Sequence, residues 1–310
     1  MGALGRSAVV AATLLASMFS PTGAEAAYPG GNGRIAFELS NDVYTVPAGG
    51  SAATRLTSDG ISHSPRWSPD GTRIAFNRAG DIWVMNANGS GRRQLTSGAA
   101  RDYESTWFPD GTRIAFAREA VGTHHSDLWS VPIAPSSWPW TTGEAKLLSK
   151  VAGVCGARQP AWSPLGGKIV YARGVGPGPY CASYDIVLLT LSTNTHKVIA
   201  SAMGTSLYTN PSYPDFAPDG RHVIFEGYNE DYTCSDNAFR SNLDGTDVVQ
   251  ITYYVGCEGE DQFSQPAAAP SGNDVTGVLS CPDPDTFHLR STGFFMSDPS
   301  LSNPDWQPLT

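Results

Sequence analysis

Residues 65–76 read PRWSPDGTRIAF, and closely similar stretches follow as WFPDGTRIAF at 107–116 and as PAWSP, then IVY, within 160–171. Weaker copies read PDFAPDG at 214–220, before VIF at 223–225, and PAAAPSG at 266–272, before Val275. The aligned branched residue falls at positions 35, 74, 114, 169, 223 and 275, in steps of 39, 40, 55, 54 and 52 residues. A repeat of this length with four strand-like runs per unit is typical of β-propeller blades.

Each repeat predicts the same order of strands. The Trp-containing run is an inner strand, and Pro-Asp-Gly forms the turn into a second strand, because Pro presets φ and Gly accepts positive φ. Third strands begin at Asp81, Asp127 and Asp185, and short outer strands follow at 94–96 and 250–252. Asp70, Asp110 and Asp219 are interpreted as turn formers, and the repeated Trp residues as packing between blades.

The two ends of the repeat array complement each other. Residues 33–37 (GRIAF) form a second strand with no inner strand before it, and residues 304–308 (PDWQP) form an inner strand with no second strand after it. Pairing them closes the ring and removes exposed sheet edges. The sequence therefore predicts an all-β, six-bladed β-propeller, one domain over residues 27–310, closed by N- and C-terminal strands that share one blade.

Residues 1–26 are predicted to be a secretory signal peptide. Arg6 supplies a positive charge, residues 8–19 form an apolar run, and Ala24-Glu25-Ala26 fits the small-x-small cleavage rule. No later segment reaches the length of a transmembrane helix. We therefore expect a secreted or periplasmic protein with no membrane span, and we expect a monomer. The net charge of −9 argues against a nucleic-acid partner, because neutralising phosphates requires clustered Lys and Arg.

Five cysteines follow the predicted signal peptide, where an oxidising compartment permits disulfides. Cys155 precedes an inner strand, and Cys181 lies in the second-to-third loop of the same blade, so they are expected to bridge. Cys257 and Cys281 repeat that arrangement, which leaves Cys234 free. A Cys234–Cys257 bridge between neighbouring blades is the competing prediction.

The motif Pro-x-Trp-Ser-Pro-Asp-Gly-x-x-Ile-Ala-Phe, followed by Asp-Ile-Trp-x-Met, resembles the repeat of TolB-like (WD40-like Pro-Asp-Gly repeat) β-propellers. The resemblance covers essentially the whole chain after residue 26 and implies the propeller fold. That family includes envelope proteins, partner-binding modules, peptidase propeller domains and pectate-degrading lyases. The resemblance therefore leaves both a binding role and an enzymatic role open.

Candidate functional residues concentrate in the loops at one face of the predicted ring. His124 and His125 lie between second and third strands, and His63, Asp102 and Glu104 lie in loops that enter inner strands. An acidic segment with interspersed tyrosines follows at residues 222–289 and is interpreted as a solvated flank that keeps the protein soluble. The alternative is that its loops form a site for calcium or for a cationic partner, with the tyrosines as aromatic anchors. The predicted binding face comprises His63, Asp102, Glu104, His124, His125, Arg158, Gln159, Tyr232, Glu258, Glu260 and Asp261.

His124, His125 and Asp127 are the candidate metal ligands, because imidazoles and carboxylates together can bind a divalent metal. The resemblance to propeller lyases implies the same kind of site. Adjacent histidines usually point apart, which argues against it.

Motifs for a nucleophile elbow, a zinc protease or a phosphate-binding loop are absent from the sequence. We therefore expect a non-enzymatic propeller that binds a protein, peptide or glycan partner through its loop face. The alternative is a metal-assisted polysaccharide lyase or hydrolase with its site at the mouth of the central channel. The segment around Trp138 and Trp140 is either a partner loop or a packed lid.

Overall fold

The computed structural model describes most of the chain after residue 30. The described ranges are 31–48, 52–133, 143–153, 155–176, 181, 183–201, 209–228, 236–252, 262–269, 275–280, 286–289, 295–297 and 301–309. The predicted signal peptide and the Trp138/Trp140 segment lie outside them. No helix within these ranges has the length and apolar character needed to cross a membrane.

Twenty-four strands lie in the described residues and form six antiparallel sheets of four strands each. Blade 1 contains β1 (Gly31–Leu39), β2 (Asp42–Pro47), β3 (Thr54–Arg55) and β24 (Leu301–Leu309). Blade 2 contains β4 (Ser62–Trp67), β5 (Arg73–Arg78), β6 (Asp81–Asn86) and β7 (Arg93–Gln94). Blade 3 contains β8 (Arg101–Trp107), β9 (Arg113–Glu119), β10 (Ser126–Pro132) and β11 (Lys146–Ser149).

The second half of the chain continues the same pattern. Blade 4 contains β12 (Ala157–Trp162), β13 (Lys168–Val175), β14 (Ser183–Thr190) and β15 (Thr195–Ala200). Blade 5 contains β16 (Thr209–Phe216), β17 (His222–Tyr228), β18 (Asp236–Asn242) and β19 (Val249–Gln250). Blade 6 contains β20 (Gln262–Ala268), β21 (Val275–Ser280), β22 (Thr286–Leu289) and β23 (Phe295–Ser297).

The predicted alignment of the repeats is confirmed by the strand register. In every blade, the residue at the Trp position of the inner strand pairs with the aligned branched residue of the second strand. These Cα partners are Trp306↔Ile35, Trp67↔Ile74, Trp107↔Ile114, Trp162↔Ile169, Phe216↔Val223 and Ala268↔Val275.

The predicted ring closure is also confirmed. β1 pairs with β24 from Gly31↔Leu309 to Leu39↔Leu301, so the first and last strands share blade 1. This pairing gives β1, which would otherwise be an open sheet edge, a partner on both sides.

Each blade packs on the next through a layer of apolar side chains. Trp107 of blade 3 is 1% exposed and packs in one cluster with Ala75 and Val84 of blade 2. Trp67 and Trp162 occupy the same position in their own blades and are equally buried. The interpretation of the repeated tryptophans as packing between blades is therefore confirmed for these three.

In blades 1, 2 and 5, hydrogen bonds fasten the start of the third strand to a threonine just after the outer strand. The Thr57 hydroxyl accepts a hydrogen bond from Val43 N (2.8 Å) and donates one to Asp42 Oδ1 (2.8 Å). Thr96 and Thr252 repeat this arrangement in blades 2 and 5. The outer strands were predicted at 94–96 and 250–252, but they end at Gln94 and Gln250. Thr96 and Thr252 lie beyond these strand ends because their hydroxyls hydrogen-bond to the start of the third strand.

Every inner strand carries a bulge, because its register shifts between the start of the strand and the Trp position. Three residues before that position, the described blades place a non-glycine residue with positive φ. These residues are Ser64 (49°), Glu104 (55°), Gln159 (51°), Tyr213 (46°) and Gln265 (54°). Such a conformation is costly for a side-chain-bearing residue, so surrounding contacts must hold it.

Those contacts cross the blade interfaces. In each of these five cases the bulge N–H donates to a side-chain oxygen of the preceding blade, so a series of hydrogen bonds links blades 1 to 6 in order. The pairs are Ser64 N to Glu38 Oε2 (3.3 Å), Glu104 N to Asn77 Oδ1 (3.1 Å), Gln159 N to Glu104 Oε2 (2.6 Å), Tyr213 N to Gln159 Oε1 (2.9 Å) and Gln265 N to Glu226 Oε2 (2.8 Å).

Candidate functional site

A cavity of about 740 Å³ opens on the face where second strands turn into third strands. We call it the face cavity. Its wall comes from blades 2, 3 and 4, and the residues that line it are Ile61, His63, Ser64, Asn77, Ala79, Gly80, Arg101, Asp102, Tyr103, Glu104, Glu119, His124 and Arg158. Five residues of the predicted binding face are among them, namely His63, Asp102, Glu104, His124 and Arg158.

Three of these residues lie in strands rather than in the loops where the sequence placed them. His63 is the second residue of β4, and Asp102 and Glu104 belong to β8. The inner strands begin earlier than predicted because the bulge lets pairing continue on both of its sides. The side chains consequently stand on rigid backbone.

Asp102 is held by blade 3 itself. Its carboxylate accepts two hydrogen bonds from Arg118, from Nε at 2.6 Å and from Nη2 at 2.7 Å. Asp102 is 1% exposed, so this bidentate pair satisfies a buried charge. Asp102 therefore shapes the cavity wall, and its charge is already neutralised.

Glu104 joins the face cavity to the central channel. Its Oε2 accepts the Gln159 N–H, and its side chain also lines a smaller cavity of about 160 Å³ in the channel, together with Arg66 and Tyr213. Burial raises the pKa of the Glu104 carboxyl, and the hydrogen bond from Gln159 and the charges of Arg158 and Arg66 offset this only in part. Gln159 lines the channel and not the face cavity.

Arg158 and Tyr103 form the deeper wall of the face cavity. The Arg158 guanidinium lies over the Tyr103 ring, 4.7 Å from its centroid, and Arg158 Nη2 is 3.8 Å from Glu119 Oε2. Burial raises the pKa of the Tyr103 phenol to about 12. Tyr103 is therefore a neutral surface at physiological pH.

The two adjacent histidines diverge. His124 lines the face cavity, whereas His125 Nδ1 is 3.0 Å from the Gly153 carbonyl oxygen and His125 Nε2 is 3.3 Å from Asp127 Oδ1. Asp127 also accepts hydrogen bonds from Lys150 Nζ (2.8 Å) and Val151 N (2.9 Å). Burial works to raise the pKa of Asp127, but these hydrogen bonds outweigh it and the pKa is lowered.

His125 and Asp127, two of the predicted metal ligands, already have protein partners. Asp127 occupies the repeat position of Asp42 and Asp81, at the start of a third strand, and it fastens the outer part of its blade in the same way. Its carboxylate already faces the Lys150 ammonium, and both nitrogens of the His125 ring have protein partners. In the part of the chain that the structure describes, no group of three or more His, Cys, Asp or Glu residues is arranged to hold a metal ion.

The expected Cys155–Cys181 disulfide is present, with its Cα atoms 6.1 Å apart. It ties the loop before β12 to the loop between β13 and β14. The Cys155 carbonyl accepts hydrogen bonds from the N–H and the hydroxyl of Ser126, where β10 begins. The disulfide therefore supports the strand that carries Arg158 into the cavity. Cys234, Cys257 and Cys281 lie outside the described residues.

Comparisons with known proteins agree with this architecture. Residues 32–120 match the family described as the dipeptidyl peptidase IV N-terminal region. TolB from Acinetobacter baumannii aligns with a TM-score of 0.68 at 15% identity, over 89% of this chain and 67% of that chain. The structure of putative TolB from Agrobacterium tumefaciens gives 0.62 at 18% identity, over 86% of this chain and 88% of that chain. The fold is a TolB-like β-propeller.

Enzymes share this TolB-like fold. An oligogalacturonate lyase in complex with manganese aligns with a TM-score of 0.53 at 13% identity, over 83% of this chain and 70% of that chain. At such identities the likeness concerns the fold alone. No curated protein sequence matches the chain.

Part of the predicted binding face of the TolB-like propeller is not described. Tyr232, Glu258, Glu260 and Asp261 lie outside the described residues. Sequence reasoning missed Ile61, Asn77, Arg101 and Glu119, which line the face cavity. Their positions in the sequence could have identified them, because each lies near the start of an inner strand or the end of a second strand, close to residues that were predicted.

Proposed function

We propose that this chain is a non-enzymatic, extracytoplasmic TolB-like propeller that binds a protein, peptide or glycan partner in the face cavity. The observation that supports the proposal most is the cavity itself. It measures about 740 Å³ and joins residues from three blades on one face. Cavities of this size and mixed lining are where small ligands and partner side chains bind.

The rigidity of the wall supports the same proposal. The bulges at Ser64 and Glu104 are tied to the preceding blade, and Asp102 is fixed by Arg118. A wall held in this way needs little ordering when a partner binds, which favours affinity. The Cys155–Cys181 disulfide supports the extracytoplasmic location, since such bonds persist in oxidising compartments. We also propose that the protein is a monomer.

The test is a binding measurement with a matched control. Peptides from a display library and glycans on an array are selected against the intact protein and then measured by calorimetry. Ile61 is 40% exposed at the cavity and Leu147 is 43% exposed on the outer strand β11, so Ile61→Trp and Leu147→Trp add the same bulk at two places. We expect Ile61→Trp to abolish binding and Leu147→Trp to preserve it. Equal behaviour of the two variants would contradict the proposal.

The second candidate is a metal-assisted polysaccharide lyase or hydrolase at the channel mouth. It is favoured by the fold likeness to a manganese-bound lyase and by His63 and His124, two imidazoles that line one cavity. A thermal-shift series with calcium, manganese and zinc against chelator distinguishes the two candidates. Stabilisation by a metal that His124→Ala removes would favour the enzyme.

A further inference from the structure

We propose that the face cavity recognises an acidic peptide segment, whose carboxylate binds between Arg101 and Arg158. This inference rests on the proposed binding function and names the chemistry of the partner.

The acidic groups of the cavity are already engaged. Asp102 is neutralised by the bidentate contact with Arg118. Glu104 accepts the Gln159 N–H across the blade interface. Glu119 is 3.8 Å from Arg158. None of the three carboxylates is therefore placed to attract a cationic ligand.

The cationic groups exceed what Glu119 can neutralise. Arg101 and Glu119 are opposite each other in the register of β8 and β9, and Arg158 approaches Glu119 from blade 4. Arg101 is exposed and makes no ion pair with any residue that the structure describes. Arg158 thus has Glu119 as its ion-pair partner, whereas Arg101 has none among the described residues, and a carboxylate supplied by a ligand would pair with Arg101.

The surroundings favour a peptide as the source of that carboxylate. Ile61 is 40% exposed at the cavity, and Val121 is 68% exposed in the loop that leads to His124. A peptide supplies aliphatic side chains that bury against such residues together with acidic ones, whereas a uronic-acid oligomer carries carboxylates without aliphatic side chains. The Tyr103 ring, which could otherwise stack on a sugar, is covered by Arg158.

The experiment is calorimetry of the intact protein with hexaglutamate, hexaglutamine, hexalysine and a galacturonate oligomer. We expect hexaglutamate to bind, to weaken with added salt, and to lose affinity about tenfold in Arg101→Ala, which corresponds to about 1.4 kcal/mol. Arg101→Lys should retain part of the affinity. Arg221 is exposed next to the Pro-Asp-Gly turn at the opposite end of blade 5, so Arg221→Ala is the matched control and should bind normally.

Each outcome decides the inference. Equal binding of hexaglutamine, no effect of Arg101→Ala, or binding of the galacturonate oligomer without hexaglutamate would overturn it. If neutral library peptides bind and Ile61→Trp abolishes that binding, the proposed function stands and the acidic preference is wrong. If no peptide or glycan binds, both proposals fail.

Discussion

Replacing Glu104 tests whether side-chain hydrogen bonds between blades hold the wall of the face cavity. Glu104→Leu removes the acceptor that lies 2.6 Å from Gln159 N and leaves that N–H without a partner at a blade interface. Leaving a buried backbone donor unsatisfied costs about 1–3 kcal/mol. For a domain of this size class, each kcal/mol lowers the melting temperature by about 2–4 °C, so the expected loss is about 2–12 °C.

Two further variants isolate the hydrogen bond. Glu104→Gln keeps an acceptor oxygen and removes the buried charge whose pKa is raised, so its melting temperature should remain close to that of the unchanged protein. Glu144 is exposed between β10 and β11, and Glu144→Leu should have no effect. Thermal unfolding followed by circular dichroism measures all three. The reasoning is refuted if Glu104→Leu melts like the unchanged protein, or if Glu104→Gln is as unstable as Glu104→Leu.

Three other perturbations follow from the same contacts. Replacing Cys155 and Cys181 by Ser should lower the free energy of unfolding by about 3 kcal/mol, since the bridge spans 26 residues, and urea titrations that show no change would contradict this. Burial lowers the pKa of His196 below 6.5, so the folded state resists its protonation and stability present at neutral pH is lost as the pH falls below about 6.5. His196→Gln should flatten that pH dependence of the urea midpoint, and an unchanged slope would contradict it. Asp127→Ala should destabilise by about 1.5–3 kcal/mol, through loss of the hydrogen bonds from Lys150 and Val151, whether or not a chelator is present. A loss seen only without chelator would instead indicate a metal.

The fold was predictable because the same motif, an inner strand, a Pro-Asp-Gly turn and a second strand, recurs several times in the sequence. The Pro-Asp-Gly turn fixes where the inner strand ends, so Trp67 must pair with Ile74 and Trp107 with Ile114. The half-repeats at the two ends left only one way to complete a blade, and β1 and β24 pair accordingly. Local turn chemistry and burial of a large side chain are both visible in a single sequence.

The sequence predicted that several candidate residues share one face, but it did not predict the contacts that each of them makes. His63, Asp102 and His124 were placed on one face because strand order decides which loops meet there. Glu104 on the binding face stays a prediction, and its carboxylate also accepts a hydrogen bond from a neighbouring bulge, a contact that the sequence did not predict. No glycine marks the positive φ at Glu104 or Gln159, so the bulges had no sequence signal.

For Asp127, in contrast, the sequence did contain an indication of its structural role. It was considered as a metal ligand because two histidines precede it, although it occupies the repeat position of Asp42 and Asp81. A residue type that recurs at the same register position in several blades has a structural role in the blade. Arg101 and Ile61 do not recur in this way, which is why single residues of this kind are better candidates for binding.

The central claim is that the partner binds in the face cavity, and hydrogen exchange with a selected ligand tests it most directly. With ligand bound, the backbone amides of residues 61–64, 77–80 and 101–104 should exchange more slowly, while those of the Pro-Asp-Gly turns at 68–72 and 108–112 should not change. Protection confined to the turns, or to the outer strands, would contradict the claim.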